Sequence, residues 1–274
     1  MTSTFRQMAI ASALAVACVL AACGHDAAGP VVLATTTSVS NSGLLDQILP
    51  SYPRPVRVSA VGSGLALQLL GQGDADVAIT HAPDRETQAL REHPGWRYRK
   101  VFWNEFVLAG PAADPAKIAA APDAAAAMRR IAESGIRFIS RGDDSGTFER
   151  EQQLWKAAGE RPKGDRLVIA GASMGQTLRI ASSDEAYTLS DEGTFLALSN
   201  SVALRVLFRG DPVLLNTYAV VSDPRSSRGM QFADWLADGA GRIVVREALA
   251  RGAVRGFHLW PDSAPRDRPG SLPR

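Results

Sequence analysis

Cysteine, histidine and long apolar runs are all scarce in this chain. Its 274 residues hold two cysteines, Cys18 and Cys23, and four histidines. Cys18 lies within an N-terminal apolar stretch. If that stretch is removed, one thiol remains and an intrachain disulfide is excluded. The metal-ligand spacings H-x-x-x-H, H-E-x-x-H and C-x-x-C are absent, so neither a catalytic metal nor another cofactor is expected. G-x-x-x-x-G-K-[ST] is missing, and Gly62-Ser63-Gly64 is followed by Leu67 where a dinucleotide fingerprint needs glycine. A nucleophile elbow is not expected either. Lys and Arg number 30 against 28 Asp and Glu, for a net charge of +2. Without a basic stripe, nucleic acid is excluded as a partner.

The one apolar run of note is at the start. Arg6 precedes Met8 to Leu20, a stretch too short to span a bilayer and suited to a signal-peptide core. It closes in Leu20-Ala21-Ala22-Cys23-Gly24, which resembles a bacterial lipobox. That resemblance implies a signal peptide over residues 1–22, a lipid on the Cys23 sulfur and a tether over 23–30. The other end, 257–274, has repeated prolines and little that is apolar after Trp260. It is expected to be a disordered tail.

Between the ends, strand-length apolar runs alternate with helical patterns. Strands are predicted at 30–35, 55–62 and 75–80, with helical patterns between them. Further strands are predicted at 106–110, 136–140, 166–171, 186–190, 206–210 and 216–222. Helices are predicted at 122–134, 148–159, 174–183, 228–238 and 242–252. This is the pattern of an α/β protein with parallel sheets. Breaks near 110–115 and 210–216 divide it into one lobe of 31–111 with 213–256 and an inserted lobe of 112–212.

Four loops share one grammar: 35–43, 61–66, 140–147 and 171–177. Each follows a predicted strand, is rich in Gly, Ser and Thr, and opens a helix. Helix N-termini carry unpaired N–H groups and partial positive charge, so such loops suit an anion. Ser and Thr are also the ordinary helix caps, and any one loop alone is explained that way. Arg141 is the fixed cation among them, and its planar fork fits a tetrahedral oxyanion. Its alternative is a salt bridge to Asp143 or Asp144. Those aspartates either point inward and accept a ligand's proton, or point away, orient Arg141 and cap the helix. His81 reads as a hydrogen-bonded structural residue. Ser145 beside Asp144 is the one nucleophile–base pair that can be assembled for a rival hydrolase or transferase.

Several blocks, in order from about residue 31 to 250, resemble the tungstate-binding proteins of bacterial tungstate ABC transporters. They include "TTTSVSNSGLLDQILPSY", "SRGDDSGTFERE" and "AYTLSDEGTFL". The resemblance implies a two-lobed type II periplasmic-binding-protein fold with two interlobe crossovers. It implies an oxyanion held in the cleft without a metal cofactor, an extracytoplasmic location, and a permease and ATPase as partners. It carries ligand contacts onto Thr36, Thr37, Ser63, Arg141, Thr147, Met174 and Gly175; Ser145 and Gly146 complete the candidate set. Phe148 departs from the family, which often has His there. The expectation is a monomeric lipoprotein that binds tungstate and catalyses nothing. Molybdate or phosphate as ligand, and service to a sensor instead of a transporter, remain alternatives.

Overall fold

The structure, a computed structural model, describes residues 29–261 and residue 269. The expected signal peptide, Cys23 and most of the tether lie outside the described residues, as does most of the expected tail.

β1 (Val31–Thr36) is a nearly continuous buried run because it has a parallel neighbour on each side, β2 (Val56–Val61) and β3 (Val77–Thr80). Two short helices, α1 (Thr37–Asn41) and α2 (Leu44–Ile48), follow β1. α3 (Ser63–Gln72) joins β2 to β3 and stops at Gly73, whose φ of +83° is the left-handed cap that glycine adopts without strain. α4 (Pro83–Glu92) begins on a proline and carries Asp84 and Glu86 in its first turn. β4 (Arg97–Pro111) then runs for 15 residues.

The second half repeats the pattern with α5 (Ala124–Glu133), β5 (Phe138–Ser140), α6 (Gly146–Ala158), β6 (Leu167–Ile169), α7 (Met174–Ser183), β7 (Tyr187–Asp191), α8 (Glu192–Leu198) and β8 (Leu204–Phe208). The chain returns through β9 (Leu215–Ser222), α9 (Ser227–Ala237), α10 (Ala240–Ala250) and β10 (His258–Leu259). Strand order is β2-β1-β3-β9-β4-β7-β5-β6, with β8 and β10 also paired to β4.

β4 belongs to both halves. Its residues through Glu105 pair with β9, and from Phe106 they pair with β7. The first passage between halves therefore falls inside a strand, not in the loop at 110–115, and the second runs through residues 209–214. Each half buries both sheet faces. In the first, α1, α2, α9 and α10 cover one face around Phe102, Tyr218 and Phe232, while α3 and α4 cover the other around Leu67, Leu70 and Ala89. In the second, α5 and α6 cover one face and α7 and α8 the other.

Residues 257–261, expected to belong to a disordered tail, are packed instead. Phe257 and Trp260 are 4% and 0% exposed, and β10 pairs with Phe102 and Trp103. Arg242 donates to the Trp260 carbonyl at 2.8 Å, and Lys100 Nζ sits 4.4 Å over the Trp260 ring. Phe257 joins the first core, and Trp260 is buried over Lys100, so two aromatics hold this segment in place.

Candidate oxyanion-binding site

The Thr-rich loop after β1 offers more hydroxyls than it uses. Thr36 caps α1, its Oγ1 accepting Val39 N–H at 3.4 Å, and it keeps its own proton free to donate. Thr35 Oγ1 and Thr37 Oγ1 are buried and meet no protein partner. Ser63, at the start of α3, is fully buried and accepts His81 N–H at 3.2 Å, so its proton is also uncommitted. Unsatisfied buried polar atoms are costly and therefore informative.

The facing loop, after β5, supplies the cation. Arg141 is 2% exposed. One guanidinium nitrogen, Nη2, is clamped by Asp143, while Nε and Nη1 are buried without partners. Gly142, at φ +61°, makes the turn behind it. The other Asp143 oxygen accepts from Ser145 Oγ at 2.5 Å and from Ser145 N–H at 3.2 Å. Asp143 thus aims one edge of Arg141 away from itself. Asp144 turns outward to Arg85, 2.8 Å away.

Ser145 is not a side-chain donor to a ligand. Its single proton goes to Asp143, and its oxygen accepts Phe148 N–H at 3.1 Å as the cap of α6. With Asp144 paired to Arg85, the expected Ser145–Asp144 nucleophile–base pair is not formed, and the carboxylate that does take the Ser145 proton, Asp143, is held by Arg141. Gly171 to Gly175 does spell G-x-S-x-G, so the elbow is excluded by geometry and not by spelling. Ser173 is the reciprocal cap of α7 with Gln176, and no histidine meets it. Thr147 is fully buried, its Oγ1 without a partner. Met174 points its side chain into the second core, leaving only its backbone at the cleft. Gly175 lies against Asn41 of α1: a Cβ there would be 3.3 Å from Asn41 Nδ2.

These loops meet. Gly64 N–H donates to the Asp144 carbonyl at 3.2 Å. A Cβ on Gly146 would come within 2.1 Å of the His81 carbonyl, and one on Gly62 within 2.8 Å of the Asp144 carbonyl. α1 packs against α7 and α8, and Thr194 Oγ1 donates to the Ser38 carbonyl at 3.4 Å. The loops that carry the nine expected residues therefore meet between the two halves, Gly146 and Gly175 lying at the contacts themselves.

Five further side chains lie beside these loops, Asp191, His81, Asn216, Asn104 and Tyr218, of which only His81 was expected, and that as a structural residue. Asp191 caps α8 through Thr194 N–H at 2.8 Å, and the Ser38 hydroxyl hydrogen-bonds its carboxyl. Burial raises the Asp191 carboxyl, and the positive charge of Arg141 partly opposes this. His81 is 1% exposed; Nδ1 lies 2.9 Å from Asn216 Oδ1, and Nε2 is unpartnered. Asn216 Nδ2 donates to Asn104 Oδ1 at 2.8 Å and to Tyr218 Oη at 2.9 Å. Burial, aided by the positive charge of Arg141, holds His81 down to about 4. A signal for Asp191 was present: "SDEGT" repeats the strand-end grammar of the other loops. Among the described residues, no group of His, Cys, Asp and Glu is arranged to hold a metal ion.

Two α/β halves joined by two passages, with unpaired donors and one guanidinium edge enclosed between them, define a two-lobed substrate-binding protein. The chain belongs to the PBP superfamily, whose domain model matches residues 21–239, and within it to the family of the tungstate-binding protein TupA. It is 41% identical to TupA of Peptoclostridium acidaminophilum over 234 residues, which is 81% of this chain and 82% of that one. The tungstate ABC transporter structure from Geobacter sulfurreducens shares 38% identity at a TM-score of 0.71, covering 80% of this chain and 98% of that one. TupA from Desulfovibrio alaskensis G20 shares 31% at a TM-score of 0.63, covering 84% and 99%. The fold is the type II, two-lobed one, and the family is of substrate-binding proteins, not enzymes.

Proposed function

We propose that this chain captures tungstate between its lobes and delivers it to the permease and ATPase of an ABC importer. The observation that carries the reading is the set of buried, unpartnered donors on the loops that meet between the halves: Thr35, Thr37 and Thr147 hydroxyls with Nε and Nη1 of Arg141. Buried donors without acceptors are rare, and a tetrahedral oxyanion satisfies several at once. The first-turn N–H groups of α6 and α7, which include those of Gly146, Met174 and Gly175, add donors that need no counter-charge. Donors fixed by packing are matched to one ionic radius, which favours tungstate over the smaller sulfate.

Further parts of the reading concern the ends of the chain and its assembly. Cleavage before Cys23 and lipidation of its sulfur would place a monomeric receptor on the outer face of the cell membrane. Among the described residues, no helix is long and apolar enough to cross a membrane. A Cys23→Ser variant is expected to leave the membrane fraction; unchanged partition overturns the anchor.

Native mass spectrometry and calorimetry with tungstate, molybdate, sulfate and phosphate test the ligand. One tungstate per chain is expected, with sulfate far weaker; sulfate bound as tightly overturns the reading. At one hundred times its dissociation constant, tungstate should stabilise the fold by about 2.7 kcal/mol. One observation favours a second reading. His81 Nε2 is an unpartnered acceptor, and hydrogen phosphate carries a proton that it could receive. Competition between phosphate and tungstate in one calorimeter cell separates the two.

A further inference from the structure

A site for a bare dianion should present donors only, yet His81 presents a lone pair. The amide of Asn216 donates through Nδ2 to Asn104 and Tyr218, which leaves Oδ1 as the acceptor facing His81 Nδ1. His81 therefore carries its proton on Nδ1, and Nε2 is an unprotonated acceptor. That nitrogen is buried and unpartnered. The residue stands where the two binding loops meet: its N–H donates to Ser63, and its carbonyl abuts Gly146.

The groups around the ring are few. Arg141 and Asp143 act on it electrostatically from the loop after β5. Tyr218 of β9 stacks on it at 4.8 Å, and Phe106 of β4 lies at 6.0 Å. Asn216 completes the contacts, and Asp191 lies beyond, acting on Tyr218. The negative and positive neighbours, Asp143 and Arg141, are already paired with each other. An entering dianion changes this balance by two negative charges, and a lone pair beside it is repulsive until protonated.

We propose that the cleft takes up one proton together with its dianion, at His81 Nε2, so that an imidazolium N–H joins the Arg141 guanidinium in holding the ligand. The proton comes from the solvent as the anion enters, and it leaves when the anion leaves. This rests on the tungstate reading but goes beyond it. Because the ligand-free ring is held neutral down to about pH 4 by burial, uptake occurs above that pH and up to the raised value of the bound state. Within that window affinity falls with rising pH, by at most about tenfold per unit.

The test uses the full chain and sodium tungstate. Calorimetry at about pH 6.5 in two non-coordinating buffers of different ionisation enthalpy counts the protons taken up. An uptake approaching about one proton, with affinity falling toward alkaline pH, is expected. His81→Gln should bind more weakly and with no uptake. Imidazole nitrogen NMR of the wild type needs no variant and should show Nε2 gaining a proton when tungstate is added. Equal heats in both buffers, or an unchanged Nε2 signal, overturn the proposal while leaving tungstate binding intact. Uptake that survives in His81→Gln moves the proton to Asp191 and overturns it as well. Failure of the wild type to bind tungstate removes the underlying reading instead.

Discussion

Arg85 and Asp144 form a 2.8 Å ion pair across the mouth of the cleft, although they belong to different halves. Both are exposed, so the pair by itself contributes little. It does not stand alone: Asp84 N–H donates to Glu149 at 3.1 Å, and Gln153 donates to Asp84 at 2.9 Å. This seam joins the start of α4 to α6 and to Asp144 in the loop after β5. Contacts that form only after the halves meet slow ligand escape, not ligand entry. Arg85→Ala should raise the tungstate dissociation rate about two- to fivefold with the association rate unchanged. Stopped-flow tryptophan fluorescence separates the two rates.

Removing the guanidinium should matter far more. Arg141→Gln leaves the half-buried Asp143 beside the anion with its cation gone, and affinity for tungstate is expected to fall roughly 30-fold or more. Arg141→Lys keeps the charge but loses the planar fork and should fall between. Calorimetry reads both; wild-type affinity in Arg141→Gln would place the site elsewhere.

Gly146 tests the closeness of the two halves. A methyl group there cannot coexist with the His81 carbonyl 2.1 Å away. Gly146→Ala should therefore hold the halves apart while leaving each folded, since alanine is the better helix former. Tungstate should compact the wild type in small-angle scattering and leave this variant unchanged.

Glu151 gives a pH signature of stability. It is buried against Ser140 and Trp155, and burial pushes its carboxyl up from 4.5 to about 7. The folded chain then keeps a proton that the unfolded chain releases between those values. Stability should fall as pH rises through that window. Glu86 acts in the same direction, so Glu151→Gln should reduce the slope, not abolish it. Thermal melts from about pH 4.5 to 7.5 measure the slope.

Much of the fold was legible because buried parallel strands are short apolar runs, as in β1 and β3. α4 was not, since Pro83–Glu92 is almost wholly polar and packs chiefly through Ala89 and the hydrogen-bonded Glu86. The first part of β4 was hidden by its charges: Arg99 reaches Asp234 and Asp238 on α9 and just beyond it, and Lys100 is buried under Trp260. At the site, the loops were readable from Gly, Ser and Thr after each strand, but the commitment of each hydroxyl was not. Ser145 and Thr147 look equivalent in sequence, yet one is consumed by Asp143 and the other is free. His81 satisfies one half of its structural expectation through Asn216 and leaves its other nitrogen open.

The shared strand has a consequence for assembly order. β9 stands between β3 and β4 in the first sheet, and it is made after the whole second half. A chain emerging from its N-terminus can complete the inserted half first, but its opening strands stay without their central neighbour until residues 215–222 arrive. Maturation of the first half is thus timed by the last quarter of the polypeptide, and truncation before β9 should leave both ends of that sheet unjoined.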